Sequence, residues 1–441
     1  MKKSRIILGL GYGDEGKGTM TDWLCRKYGT MLVVRYTGGS QPGHTVILQN
    51  GRRHTFRQIG SGAFIKGVKT LLSRHVLFDP IALCSEVQQF SKVSGKYALG
   101  YHFVDERAPI ITPLHVATNR IKEFLRGTAK HGSCGKGVGE TAYDLVEYPE
   151  EIIHAGDLGE QEKTLPMLVA IRKRKREELI SLGANFSDIP NRLKSSAHVF
   201  LEDTTKEIAE AYAEISQELN IVSAEKAERM IRENDSVFEG TQGVLLDEWH
   251  GFHPYTTWGT TVQKNALELL HESGFDGEIE TIGITRAYAT RHGKGPFVTE
   301  DRAMRNAYPD EANTRGVWQG NFRTGFLDLV ALHYAVECVK SYGRLDSLAI
   351  THLDVFDRVK EIHLCDRYKF AEGTETNVVV PQWEHNLAYQ EKLTELLLHA
   401  QPVYSEAVTT SDDIVRIIQE FLSTPAKYGS YGPTSDDKSC F

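Results

Sequence analysis

An apolar run, Ile6-Ile7-Leu8-Gly9-Leu10, leads without a break into Gly11-Tyr12-Gly13-Asp14-Glu15-Gly16-Lys17-Gly18. A buried strand that delivers a glycine-rich turn to the start of a helix constrains the fold more than any other segment. Successive backbone N–H groups and the helix N-terminus converge there on phosphate oxygens, and Lys17 adds a point charge. Met20, Trp23, Leu24 and Tyr28 recur at helical spacing, and Gly29 is placed to end that helix. Met31-Leu32-Val33-Val34-Arg35-Tyr36 then reads as a second strand. This βαβ opening predicts an α/β protein with a mostly parallel central sheet, a P-loop-like phosphate-binding turn and flanking helices.

Between 160 and 235 the character changes to long helix-forming stretches, such as 208–219 and 224–233. The basic run Arg172-Lys173-Arg174-Lys175-Arg176 precedes Glu177-Glu178, which favours a solvated helix face over a phosphate-binding patch. Strand-like runs return at 236–238, 279–284, 347–350 and 361–364. With no internal repeat and no low-complexity linker, residues 1–441 are expected to form one domain with a helical insertion at 160–235.

A formal net charge of -8 argues against a general nucleic-acid or membrane-surface binder, because phosphate attraction needs a basic face. The first apolar run is too short for a signal peptide, and no other approaches the roughly 18 residues of a membrane span. Six cysteines, Cys25, Cys84, Cys134, Cys338, Cys365 and Cys440, show no CxxC pairing. They suggest neither a zinc site nor a disulfide framework and fit a reducing cytoplasm.

The first turn satisfies GxxxxGK but carries Gly18 where the usual phosphate loop has a magnesium-binding Ser or Thr. If magnesium is used, Asp14 inside the loop is the nearest hard oxygen donor. An acid among phosphate-binding amides is costly unless a metal or a protonation role offsets it. A second glycine-rich turn, Gly38-Gly39-Ser40-Gln41-Pro42-Gly43-His44-Thr45, follows the second strand. Parallel-sheet logic puts both turns at one edge, so His44 can reach a phosphoryl group held by the first; a purely structural histidine is the alternative.

These two turns resemble those of the adenylosuccinate synthetase family, which joins aspartate to IMP using GTP. The resemblance continues through Gly132-Ser133-Cys134-Gly135-Lys136-Gly137 and Glu239-Gly240-Thr241-Gln242-Gly243. It extends to Ala289-Thr290-Arg291, Arg323-Thr324-Gly325, Thr351-His352-Leu353-Asp354 and Ser430-Tyr431-Gly432-Pro433. It implies that Asp14 takes the N1 proton of a purine nucleotide, so that the 6-oxygen attacks the γ-phosphate of GTP. His44 would stabilise the transferring phosphoryl group, with Lys17 and Gln242 completing the catalytic set, and an amine would then displace the 6-phosphate.

By the same resemblance, GTP would be held by Gly13, Glu15, Gly16, Lys17, Gly18, Thr19, Gly43, His44 and Thr45. Asp354 would read guanine beside His352, with Ser430 and Gly432 closing the other face. Mg2+ would sit on Asp14 and the Gly43 carbonyl. The acceptor would meet Asp14, Gln41, Ser133, Cys134, Gln242 and Thr257, and the amino acid, L-aspartate in the family, would meet Asn313, Thr314, Arg315 and Arg323. Asp22 is expected to cap or buttress the loop helix. The same likeness implies a homodimer, while the net charge and the cysteine pattern above lead to the expectation of a cytoplasmic protein with no nucleic-acid or membrane partner.

The chain also departs from the family pattern. His352 replaces a lysine, Gln41 an asparagine and Cys134 a threonine, while Glu150-Glu151 stand near the expected interface arginine. The loop that grips aspartate with four arginines in the family keeps only Arg315 and Arg323, with Trp318 between them. Three readings stay open: a divergent adenylosuccinate synthetase, a ligase using GMP, dGMP or another amine, and a catalytically silent nucleotide-binding protein. Loss of Asp14, Lys17 or His44 would have signalled the last, and none is lost.

Overall fold

Ile6 and Ile7, neighbours on strand β1 (Lys3–Gly9), point to opposite faces of a sheet and are both fully buried. Ile6 packs with Leu32, Val34, Phe238 and Leu269, and Ile7 with Met20, Leu24, Val33 and Ile282. Cover on both faces is why the strand reads as a continuous apolar run rather than an alternating one. These features come from a computed structural model that describes residues 1–95, 99–127, 132–307, 320–382, 384–405 and 407–441.

Across the sheet the strands run Lys438–Cys440, Ala426–Ser430, Ser347–Thr351, Glu278–Arg286, β1, Ser236–Gly243, Leu32–Arg35, Lys69–Leu72, His102–Asp105 and Asn220–Val222. All neighbouring pairs are parallel except the last hairpin, Ala426–Ser430 with Lys438–Cys440. On one side of β1 lie Ser236–Gly243 and Leu32–Arg35, and on the other Glu278–Arg286 and Ser347–Thr351. Loops leaving the carboxyl ends therefore diverge around β1, the place where open parallel sheets bind ligands.

Helix α1 (Lys17–Tyr28) starts at Gly16 (φ 96°) and ends at Gly29 (φ 64°), with Met20, Trp23 and Leu24 buried as their spacing predicts and Tyr28, in the last turn, exposed. Asp22 is not its cap. It lies inside the helix and pairs with Arg26, Nε to Oδ2 at 2.7 Å, so of the two expected roles only the buttress remains.

Helices α2 (Pro80–Ser94), α3 (Pro113–Leu125), α4 (Val138–Glu147), α5 (Gln161–Ser181), α6 (Lys194–Leu201), α7 (Thr205–Glu218) and α8 (Ala224–Glu233) flank the sheet. Many of them share an apolar core that includes Phe90, Leu114, Ile121, Leu168, Ile171, Phe200 and Tyr212. The segment expected to be a helical insertion also supplies the edge strand Asn220–Val222, too short to show a period. The strand expected at 361–364 begins only at Leu364 and runs to Lys369. Its buried residues are interleaved with Asp366 and Arg367, which hid it.

The basic run on α5 is a solvated face only in part: Lys173 and Arg176 are exposed, and Lys175 is not. Lys175 is 1% exposed and its Nζ lies 2.7 Å from Asp144 Oδ1 and 3.2 Å from Glu140 Oε2. Arg174 pairs with Asp144 at 2.8 Å and with Glu151, while Arg172 and Arg176 donate to carbonyls at the end of α6, Arg172 to Val199 and both to Phe200. Acids following the run in sequence suggested solvation; the nearest acids to Lys175 are Asp144 and Glu140 on α4, with Glu178 farther off at 3.9 Å. Burial opposes ionisation of Asp144, but His115 and Lys175 outweigh it and hold the carboxyl well below its usual range. Asp144→Ala strands buried cations and is expected to cost about 3–5 kcal/mol in urea unfolding. A loss below about 1 kcal/mol would restore the surface reading.

No helix among the described residues is long and apolar enough to cross a membrane.

Candidate active site

The carboxyl ends of five parallel strands carry the site: β1 before Asp14, Leu32–Arg35 before His44, Ser236–Gly243 with Gln242, Ser347–Thr351 before Asp354, and Ala426–Ser430. Among the described residues four non-glycines have positive φ, and three of them, Asp14 (62°), Gln242 (30°) and His352 (57°), lie here. Such backbone is strained for a side chain and persists only where neighbours over-determine it. At Asp14 those neighbours are visible. Arg286 Nε donates to the Asp14 carbonyl at 2.5 Å, and Thr351 Oγ1 donates to the Glu15 carbonyl at 2.7 Å.

Inside the first turn Glu15 is buried, and its Oε1 accepts from Gly11 N at 3.0 Å and Gly13 N at 2.8 Å. Lys17 Nζ lies 2.5 Å from Glu15 Oε2, which holds the cation within the loop. Asp14 instead points outward, its side chain 23% exposed, and Oδ2 lies 3.3 Å from His292 Nε2. Gly16 and Gly13 take positive φ, while Thr19 Oγ1 donates to the Pro433 carbonyl at 3.3 Å and ties α1 to the C-terminal turn.

Gly18 lies against the second turn. A Cβ there would come 2.6 Å from His44 Cβ, so the glycine sets how closely α1 approaches His44. His44 Nδ1 is 2.6 Å from Glu239 Oε1, and the same carboxylate accepts from Ser61 N at 3.0 Å and from the Ser61 hydroxyl. Arg35 Nη1 is 3.7 Å from Glu239 Oε2. Burial opposes charge on Glu239, but Arg35, His44 and Ser61 hold it down at about 2. Burial also lowers the His44 pKa, with Glu239 opposing. The pair is thus an ionised carboxylate receiving Nδ1–H from a neutral ring, which leaves Nε2 for a ligand. Gly43 is exposed beside it, and the Thr45 hydroxyl is 2.9 Å from that of Thr55.

On the far side, His352 is neutral, driven well below its ordinary pKa by burial, with Nδ1 3.0 Å from Thr351 Oγ1 and its ring edge-on to Tyr288. Asp354 follows on a short 3-10 turn. Ser430 donates to the Gly432 carbonyl, and Lys438 Nζ donates to the carbonyls of Thr434 and Gly432. Burial pulls Lys438 down to about 8, although Asp437, Asp22 and Asp354 lie near enough to oppose it.

A family model described as adenylosuccinate synthetase matches residues 6–439. The chain belongs to the adenylosuccinate synthetase family. Membership makes it a ligase. Adenylosuccinate synthetase 1 of Pseudoalteromonas translucida is 32% identical over 455 aligned positions, spanning 98% of this chain and 97% of the relative. The enzyme of Buchnera aphidicola is 33% identical over 386, spanning 84% of this chain and 81% of the relative. Among solved structures, fully ligated adenylosuccinate synthetase from Plasmodium falciparum superposes with a TM-score of 0.79 at 20% identity, covering 99% of both chains. Succinoaminodeoxyadenylate synthetase of cyanophage S-2L, bound to dGMP and dATP as an energy donor, gives 0.60 at 14%, covering 100% of this chain and 95% of that one. At these identities the structures bear on the fold alone.

In this adenylosuccinate synthetase family member, the residues expected to meet the acceptor have the following surroundings. Ser133 Oγ donates to Asn119 Oδ1 at 2.9 Å, and burial pushes up the Cys134 thiol despite Lys136 nearby. Both polar ends of the Gln41 side chain are buried without a hydrogen-bond partner. Arg57 donates to the Pro42 carbonyl at 3.2 Å, and Arg120 to that of Gly135 at 3.0 Å. Burial and the nearby Arg57 guanidinium both lower Lys136. Among the described residues no carboxylate lies in ion-pair range of Arg57 or Lys136. Gln242 Oε1 accepts from Thr241 Oγ1 at 2.7 Å, and Thr257 N donates to Leu246 O at 2.8 Å.

Asn313, Thr314, Arg315 and Trp318 lie outside the described residues. Arg323 does not present a free fork: Nη1 donates to the carbonyls of Gly293 and Gly295, and Nη2 lies 2.6 Å from Glu300. Sequence reasoning assigned no role to Glu239, Arg57, Lys136 or His292, which the structure places beside the expected site residues. A glutamate ending the apolar strand Ser236-Val237-Phe238, and a lysine between Gly135 and Gly137, were the signals available.

Proposed function

We propose that this protein uses GTP to phosphorylate the 6-oxygen of IMP and then joins L-aspartate at that carbon, giving adenylosuccinate, GDP and phosphate. The observation that carries the reading is the Asp14 carboxylate, projected outward from an amide-lined turn, with His44 packed on the same helix start at Gly18. Asp14 removes the N1 proton, and the electron pair freed in the ring makes the 6-oxygen the nucleophile toward the γ-phosphate. His44 faces that phosphoryl group through Nε2. A phosphoryl oxygen there is a second anion beside Glu239, which favours the doubly protonated ring and an Nε2–H donor. Lys17 and the loop amides hold the phosphates.

Asp14 and the Gly43 carbonyl are hard oxygen donors that suit Mg2+, which takes few protein ligands and completes its shell with phosphate oxygens and water. Bound there, it would neutralise charge on the phosphates. The Asp354 carboxylate suits the N1–H and N2–H donors of guanine, which adenine lacks. Arg57 and Lys136, beside Gln41, Ser133 and Cys134, supply positive charge for the acceptor phosphate from within the chain. Lys136→Met is expected to raise the KM for the acceptor roughly tenfold to a hundredfold, with GTP binding little changed. An unchanged acceptor KM would place the phosphate elsewhere. Exposed Tyr143, Val146, Tyr148 and Trp258 support a homodimer.

Phosphate release from GTP with IMP, GMP or dGMP, each with L-aspartate or other amino acids, tests the reading. Saturable turnover with IMP and aspartate is expected. Tight GTP binding without turnover for any pair would favour a silent protein. The engaged Arg323 favours a second reading in which the amine is not aspartate; selective turnover with a monocarboxylic amino acid would establish it.

A further inference from the structure

We infer that His292 is a positioning residue that locks the carboxylate of Asp14, an inference that rests on Asp14 being the base of the proposed reaction. His292 ends the strand Ala289–His292, which pairs antiparallel with Phe322–Gly325 and sets His292 opposite Phe322, ring centroids 4.9 Å apart. The preceding residue, Arg291, is 1% exposed and donates to the carbonyls of Lys294 and Pro296, so the strand end is anchored from beneath. The imidazole is therefore carried on a fixed element rather than a free loop.

Its Nε2 lies 3.3 Å from Asp14 Oδ2, whereas its Nδ1 is buried without a hydrogen-bond partner. A carboxylate only accepts, so the proton belongs on Nε2. Arg286 fixes the backbone carbonyl of Asp14 but leaves the carboxyl plane free to turn. Among the described residues, no other side chain hydrogen-bonds or ion-pairs with that carboxyl. An ion-pair contact at Oδ2 restrains the plane and leaves Oδ1 for the N1 proton of the purine, the kind of restraint that keeps a base within range of its proton.

The test compares His292→Leu with His292→Gln, whose amide retains an N–H donor, measuring kcat and the KM values for acceptor and GTP. Leucine is expected to lower kcat about tenfold to a hundredfold with both KM values within about twofold, and glutamine to recover a large part of the loss. Asp14→Asn is run beside them, together with Asp14→Asn/His292→Leu, which is expected to be no slower than Asp14→Asn alone. Full kcat in the leucine variant, or a change confined to the acceptor KM, overturns the positioning role. If Asp14→Asn itself keeps turnover, the underlying reading fails; if it is dead while His292→Leu is fully active, only this inference fails.

Discussion

Asp14→Asn is expected to lower kcat by about 10³-fold while GTP still binds and the fold is unchanged. An amide cannot take the N1 proton, and without that step the 6-oxygen remains a weak nucleophile. The substitution leaves the backbone undisturbed. Asp14 sits at φ 62°, a conformation that asparagine tolerates as readily as aspartate, so the turn keeps its shape. Arg286 grips the backbone carbonyl rather than the side chain, and that contact survives. GTP titration and thermal unfolding would show the loop intact, and phosphate release would show the chemistry gone. Turnover at the parental rate would remove the base from the mechanism and leave the turn as a phosphate cradle only.

The strand, turn and helix that position Asp14 were legible because their residues are contiguous. Gly13, Asp14, Gly16 and Lys17 announce a phosphate turn within one stretch, and the two faces of β1 explain its unbroken apolar run. Glu239 was not legible as the partner of His44, since 195 positions separate them and only the parallel pairing of Leu32–Arg35 with Ser236–Gly243 brings them together. The same holds for His292, 278 positions from Asp14, counted as 292 minus 14. The α5 run, exposed at Lys173 and Arg176, misled at Lys175. Its nearest acids in sequence, Glu177 and Glu178, suggested self-neutralisation on a surface, while Asp144 and Glu140 on α4 take Lys175 out of water. Arg323 kept its place in the motif but is spent on carbonyls of the 293–295 turn, a competition no residue pattern reveals.

Gly18→Ser, which would restore the usual phosphate-loop residue, is expected to lower kcat by about 10²-fold or more rather than add a magnesium ligand. A Cβ at this position meets His44 Cβ at 2.6 Å, Ser61 Oγ at 3.0 Å and the His44 carbonyl carbon at 3.1 Å. Two of these belong to the backbone or its first side-chain atom, which cannot swing away as the end of a long side chain can. His44 is also held from behind by Glu239, and Ser61 by the same carboxylate, so displacement of the turn carries the imidazole with it. Overpacking of this kind costs about 1–3 kcal/mol in stability as well. Gly18→Ala separates the causes, because it adds the Cβ without the hydroxyl: equal losses in Ala and Ser assign the effect to crowding of His44. A Ser variant that turns over faster than the parent, with tighter magnesium dependence, would instead mean that the loop accepts the ordinary metal ligand and that Asp14 is not needed to hold the ion.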